Sequence, residues 1–233
     1  MTLRLAAVIF VATTAAAPAE KPLPTHTRET VAEFAECVVR KRYAASVEVL
    51  QRNVANADIL DDYSRLIDSD CLLEAKGGTA SRLTLPGDHF RYALAGAIFD
   101  RSYAQRPAPI LAGVAPLEHR PFPDKTKHAQ ELASLKSKWR REELERDFKS
   151  ATVTAYLSRY GECVVRNDAA NARMLLLSKE GAADESSAFA ALQPPLAHCL
   201  PPNQTLRFSR IQLRGLIALN YVRLALASAA GSA

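Results

Sequence analysis

Glycine is scarce in this chain, with nine in 233 residues. None falls in a G-x-G-x-x-G or P-loop pattern, so the amide cradles that hold nucleotide phosphates are missing. G-x-S-x-G, S-x-x-K and H-E-x-x-H are missing too, which removes the sequence-level reasons to name a serine hydrolase, an acyl-serine enzyme or a zinc protease. The four cysteines form no C-x-x-C pair, and His198 beside Cys199 is the one histidine near ligand spacing. A zinc site or a dithiol redox centre is not implied. No cofactor is implied either. What remains is ordinary globular composition, 48% apolar and 24% charged, which excludes a disordered tail protein, a collagen-like chain and a polytopic membrane protein.

The first residues read as an address. Arg4 is a short basic region, Leu5 to Ala12 an apolar run of eight, and Ala17-Pro18-Ala19 puts small residues at −3 and −1 of a cleavage site. The expected signal peptide is 1–19, with cleavage before Glu20. No cysteine sits at the cut to carry lipid, and no later apolar run reads as a transmembrane helix. The mature chain is expected to be periplasmic or secreted. It keeps 29 basic against 25 acidic residues, a net charge of about +4. That charge is dispersed, which argues against nucleic acid as a partner.

Export places Cys37, Cys71, Cys163 and Cys199 in an oxidising compartment, where an even count predicts disulfides. Cys37 and Cys71 are 34 residues apart, Cys163 and Cys199 36. The near-equal spacing predicts Cys37–Cys71 and Cys163–Cys199, one bridge per half. Each would stabilise by roughly 3–4 kcal/mol in the chain-entropy account.

The halves also share residues. Glu36-Cys37-Val38-Val39-Arg40 is identical to Glu162-Cys163-Val164-Val165-Arg166. Cys71-Leu72 answers Cys199-Leu200, and Leu94-x-Gly96-x-Ile98 answers Leu213-x-Gly215-x-Ile217. The order of landmarks is the same, with a loop insertion around Leu83 to Asp88 in the first half. This predicts an internal duplication with a period near 126 residues.

Helical spacing dominates. The expectation is an all-α fold of two similar halves, about four helices each: 20–105, then a Pro-rich linker over 106–124, a charged helix over 125–149, and 150–233. Thr30-Val31-Ala32-Glu33 reads as a capping box, and Asn167-Asp168 as a break and cap. The third helices are placed at Ile59 to Leu73 and Ser187 to His198, the latter disturbed by Pro194-Pro195. The fourth helices start near Asp88 and Ser209. Brief alternation at Leu83-Thr84-Leu85 and Leu206-Arg207-Phe208 is the only strand signal.

Five prolines between Arg106 and Pro123 make that segment an extended link. Lys125 to Lys149 carries eight basic and five acidic residues, with Leu132, Leu135, Trp139, Leu144 and Phe148 as a partial stripe. It reads first as an amphipathic helix docked on the protein's own core. A sharper reading makes it a partner-binding helix for another envelope protein, anchored by Trp139; lipid contact is the third.

Glu36/Arg40 and Glu162/Arg166 repeat at i, i+4 and read as surface ion pairs. Asp88-His89 reads as a loop and helix cap, Asp61-Asp62 as surface helix, and Glu118-His119 as exposed residues of the link. Asn203-Gln204-Thr205 fits a glycosylation acceptor incidentally. No catalytic residue is assigned.

The repeated Glu-Cys-Val-Val-Arg and Cys-Leu pattern resembles uncharacterised secreted helical proteins of alphaproteobacteria. That resemblance implies export and paired cysteines, and no activity. The expected role is a non-catalytic binding or scaffold module, acting through the groove between the halves or through the charged helix. The alternatives are a hydrolase or lyase with a site between the halves, and an envelope stress or maintenance factor that binds other proteins. N-terminal sequencing of exported protein should begin at or near Glu20; a retained Met1 contradicts the address.

Overall fold

The computed structural model describes residues 25–75, 88–200 and 209–231. The expected signal peptide, most of the loop insertion, both alternating stretches and the glycosylation triplet lie outside the described residues. Among those described there is no strand. The helices are α1 (Thr25–Gln51), α2 (Asn56–Asp62), a 3-10 turn (Ser64–Leu66), α3 (Ser69–Glu74), α4 (His89–Ser102), α5 (Lys125–Ser134), α6 (Lys138–Asn167), α7 (Ala169–Leu177), α8 (Ala183–Ala191), α9 (Gln193–His198) and α10 (Arg210–Ala230).

Local chemistry sets most of these boundaries. Asp68 accepts from the Asp70 and Cys71 amides at 3.0 and 3.1 Å to start α3. Asp124 does the same for α5, and Asp168 accepts from the Asn171 amide to start α7. Ser209 and Gln212 form a reciprocal capping box on α10. Pro194 and Pro195 occupy the first turn of α9, where a missing amide costs little, so the chain makes two short helices there.

Three expectations need correction. The capping box at Thr30 does not form, because α1 already starts at Thr25, directly after the last proline of that stretch, and Thr30 is a buried interior residue. Ile59 to Leu73 is not one helix. It breaks at Tyr63, whose hydroxyl donates to Glu48 at 2.9 Å, and again before the Asp68 cap. Lys125–Lys149 is likewise two helices, α5 and the start of α6, separated by an extended backbone at Leu135 and Ser137. Ser134 turns its hydroxyl back onto the Glu131 carbonyl at 2.7 Å, a bond that competes with helix continuation. α6 then runs unbroken across the expected boundary at residue 150.

The core is a row of helices in the order α1, α4, α10, α6, with α4 against α10 at its centre. Corresponding residues of the two halves take corresponding places. Phe34, Val38, Val39, Val49 and Leu50 are buried on α1; 126 residues later Tyr160, Val164, Val165, Leu175 and Leu176 are buried on α6 and α7. α1 departs from helical geometry at Arg42 (φ −133°, ψ 41°), and α6 ends at Asp168 (φ −154°, ψ 77°), each five residues beyond the half's first cysteine. The bridges are Cys37–Cys71, joining α1 to α3, and Cys163–Cys199, joining α6 to the end of α9. They mark an oxidising environment.

α10 is 21 residues long and apolar enough, by length and composition, to cross a membrane, which the sequence reading did not anticipate. Here Leu216 to Ala225 are all buried in the protein's own core, with Asn220 and Arg223 among them.

Two glycines separate close packing from open space. A Cβ on Gly161 would meet Asn220 Nδ2 at 2.3 Å and Leu216 Cγ at 2.8 Å, so α6 approaches α10 there as only glycine allows. A Cβ on Gly96 would meet nothing within 4 Å. Gly161→Ala should therefore lose about 1–3 kcal/mol of stability in a urea titration. Gly96→Ala should be neutral or gain up to about 1 kcal/mol, as expected for glycine replaced in a helix interior. Equal effects at the two sites would contradict the packing.

Candidate functional site

The Pro-rich segment is a strap rather than a free link. It leaves the end of α4 and runs antiparallel along α7 and α6. Arg173 donates to the Ala104 carbonyl at 2.7 Å, and Arg166 to the Val114 and Ala115 carbonyls at 3.0 and 2.6 Å. The Leu117 amide donates to Glu162 Oε1 at 3.0 Å, and Arg159 donates to the Arg120 carbonyl at 2.9 Å. Arg159 also stacks over the Phe122 ring, 4.6 Å from its centroid.

Glu162 is the anchor. It is buried, and it accepts from the Leu117 amide, from Arg166 Nε at 2.6 Å and from His119 Nε2. An ionised carboxylate can only accept, so His119 carries its proton on Nε2; its Nδ1 lies 2.8 Å from Ser158 Oγ. Burial alone pushes the carboxyl up, but the bonds from His119, Leu117 and Arg166 outweigh it and hold Glu162 at about 2. The expectation that Glu118-His119 lies exposed is thus corrected for His119, which is drawn in because a buried carboxylate requires donors; Glu118 itself is exposed.

A second buried group clamps the same strap. Arg223 of α10, 3% exposed, donates to the Glu118 carbonyl at 2.5 Å. Arg91 of α4, 2% exposed, donates to Asp88 Oδ1 at 3.0 Å and to the Asn53 side chain. Arg120 donates to the Asn53 carbonyl at 3.4 Å, with Asn53 held at φ 53°. Burial, together with the Arg91 charge, lowers Arg223 to about 10. Neither arginine was singled out in the sequence, although Arg223 is the one charge in the apolar stretch Leu216–Ala225.

The repeated ion pairs are unequal. Arg166 meets the buried Glu162 and is itself half-buried, whereas Arg40 turns away to Glu74 of α3. Among the described residues Glu36 has no hydrogen-bond or ion-pair partner. It lines an open cleft of about 210 Å³ between α1, α4 and α10, with Asp100, Tyr92, Gly96 and Ile211. Asp100 also lacks a hydrogen-bond or ion-pair partner among the described residues. Partial loss of hydration pushes Glu36 up, reinforced by the Asp100 and Glu33 charges; it pushes Asp100 up too, against a weaker pull from Arg214. The two cations beside them are engaged elsewhere. Arg28 pairs with Glu180 across the mouth, and Arg214 satisfies the carbonyls of Leu175, Leu176 and Ser178 at the end of α7.

The remaining candidates lie apart. Trp139 is 61% exposed on the first turn of α6, in a hairpin where His128 stacks on Phe148 with ring centroids 4.0 Å apart. No residue of α5 is buried, and α6 is buried only from Ala155 onward, so the charged helix does not dock on the core as first expected. Its interleaved charges leave too narrow an apolar stripe for that. Asp88 precedes α4 but binds Arg91 rather than capping the helix, and buried His89 opens that helix at the cleft rim. Asp61 and Asp62 are exposed at the end of α2. Among the described residues no group of three or more His, Cys, Asp or Glu could hold a metal ion.

The depressed Glu162 makes a sign-specific prediction. Its ionised form is favoured in the folded state, so its contribution is present above about pH 4.5 and is lost as pH falls toward about 2. Glu162→Gln should lower stability at pH 7 by a few kcal/mol, roughly what breaking a buried ionic network costs. It should also flatten the acid limb of the stability curve and open the strap to proteolysis between 106 and 123. An unchanged acid limb would show that Glu162 is not the anchor.

The chain matches no protein-family model, no curated protein and no solved structure.

Proposed function

We propose that this chain is an exported protein of the bacterial periplasm, descended from a duplicated helical unit, that acts as a non-catalytic binding or scaffold module. The cleft between the halves is its docking site, and that cleft is the observation that carries the reading. It is open and largely apolar, and it holds two accessible carboxylates that have no hydrogen-bond or ion-pair partner among the described residues. No serine, threonine or cysteine lines it among the described residues, so a hydrolase of the hydroxyl- or thiol-nucleophile kind is not supported there. At about 210 Å³ the cleft is also below the ~300–1,000 Å³ of small-molecule sites. Its size suits a side chain or two of a larger partner, which also accommodates the envelope-maintenance alternative.

Affinity capture from an envelope extract with the disulfides intact tests this. Gly96→Leu, which builds into open space at the cleft floor, should reduce capture of the partner at least fivefold while the protein stays folded. Trp139→Ala should change stability by less than about 0.5 kcal/mol, as for an exposed surface site. Capture lost in Trp139→Ala but kept in Gly96→Leu would move the docking surface to the hairpin and remove the cleft reading.

A further inference from the structure

We infer that the open cleft takes an extended peptide segment carrying a basic side chain, seated against Glu36 and Asp100 as the chain's own strap is seated against Glu162. The inference rests on the binding reading above and names the class of ligand.

It comes from comparing the two halves residue by residue. Shifting by 126 residues carries Ala32 and Glu36 of α1 onto Ser158 and Glu162 of α6. Shifting the last helices by 119 carries Asp100 of α4 onto Leu219 of α10. Ala32 and Glu36, which line the open cleft, therefore stand at the positions from which Ser158 and Glu162 grip the strap. His119 sits between Ser158 and Glu162, and Glu118 offers its carbonyl to Arg223. The outer walls correspond as well. The strap meets Asn53, in the turn after α1, through Glu118 and Arg120. The open cleft is bounded by Glu180, in the turn after α7. One cleft is filled by an extended, proline-containing piece of this chain; its counterpart is open among the described residues.

The differences between the clefts specify what the open one prefers. Asp100 stands where the second half has Leu219, so a second carboxylate joins Glu36 in the open cleft. Among the described residues Glu36 and Asp100 face it with no hydrogen-bond or ion-pair partner, and Arg28 and Arg214 are bound to Glu180 and to the end of α7. A lysine or arginine would find there two carboxylates, where the corresponding positions of the second half are Glu162 and Leu219. The apolar floor at Gly96, Ala97 and Ile211 accommodates the side-chain stem and a flanking proline. By the same correspondence the peptide runs antiparallel to α1.

Two fluorescent nonapeptides test this by anisotropy against the intact, oxidised full chain. One has the sequence of residues 113–121 with His119→Ala and Arg120→Ala, and the other is the same with lysine in place of His119. The lysine peptide should bind at least fivefold more tightly than its parent. Glu36→Gln and Asp100→Asn should each weaken it at least fivefold, without lowering the melting temperature. Absence of binding at millimolar peptide, or affinity unchanged in both variants, overturns the inference. A spermidine titration followed by amide shifts at Glu36, Tyr92 and Asp100 separates this failure from that of the binding reading. Shifts with spermidine but no peptide binding remove the extended peptide and leave a ligand cleft. No shifts with any probe remove both.

Discussion

A carboxylate placed inside a helical protein must be supplied with donors or protonated, and Glu162 is supplied. The donors come from three places: Arg166 one turn along the same helix, the Leu117 amide and the His119 ring. Two of the three belong to a segment with no regular structure of its own. The requirement to satisfy one buried anion thus recruits the strap, and the strap's course then follows from the carbonyls it presents to Arg173, Arg166, Arg223 and Arg159. Prolines at 107, 109, 116, 121 and 123 suit this arrangement. They remove donors that would otherwise need partners and leave carbonyls, which arginine side chains can meet.

The bridges act at a different level. Each ties the first helix of a half to a short helix that buries little by itself, α3 in one half and α9 in the other. Helices of six residues are too short to be stable in isolation. A covalent link of about 3–4 kcal/mol each offsets that deficit, while burial across α1, α4, α10 and α6 supplies the common core. The glycines divide along the same line: Gly161 allows α6 to close on α10, and Gly96 leaves the floor of the open cleft bare.

The periodic elements were legible in the sequence. The apolar spacing of Phe34, Val38 and Val39, the Asp168 break, the Ser209 start and both cysteine pairings follow from local rules that tertiary context did not override. The strap and the charged helix were not legible in the same way. His119 reads as a loop residue because its partners, Ser158 and Glu162, lie about forty residues away and nothing local marks the contact. Arg91 and Arg223 sit on helices whose neighbours are apolar, a conflict between pattern and charge that signals a specific buried partner; its identity, backbone carbonyls and Asn53, is fixed only by folding. Residues 125–149 show that hydrophobic pattern alone does not place a helix on a core. The stripe there is real, but α5 and the start of α6 use it on each other, as the stacking of His128 on Phe148 shows.

The unequal fates of Glu36 and Glu162 follow from connectivity. Two halves with matching faces present matching carboxylates, but a single chain has one connector, and it can satisfy only one of them. The connector leaves α4 and must reach α6, so it passes Glu162; the route offers nothing to Glu36. Arg40, which could have closed the pair within α1, is held by Glu74 beside the Cys37–Cys71 bridge. Among the described residues the first cleft is therefore left open, and its carboxylates take no hydrogen bond or ion pair from the chain. An asymmetry imposed by the covalent order of the chain, acting on two similar faces, is enough to make Glu162 part of a structural joint and to leave Glu36 and Asp100 in an open cleft.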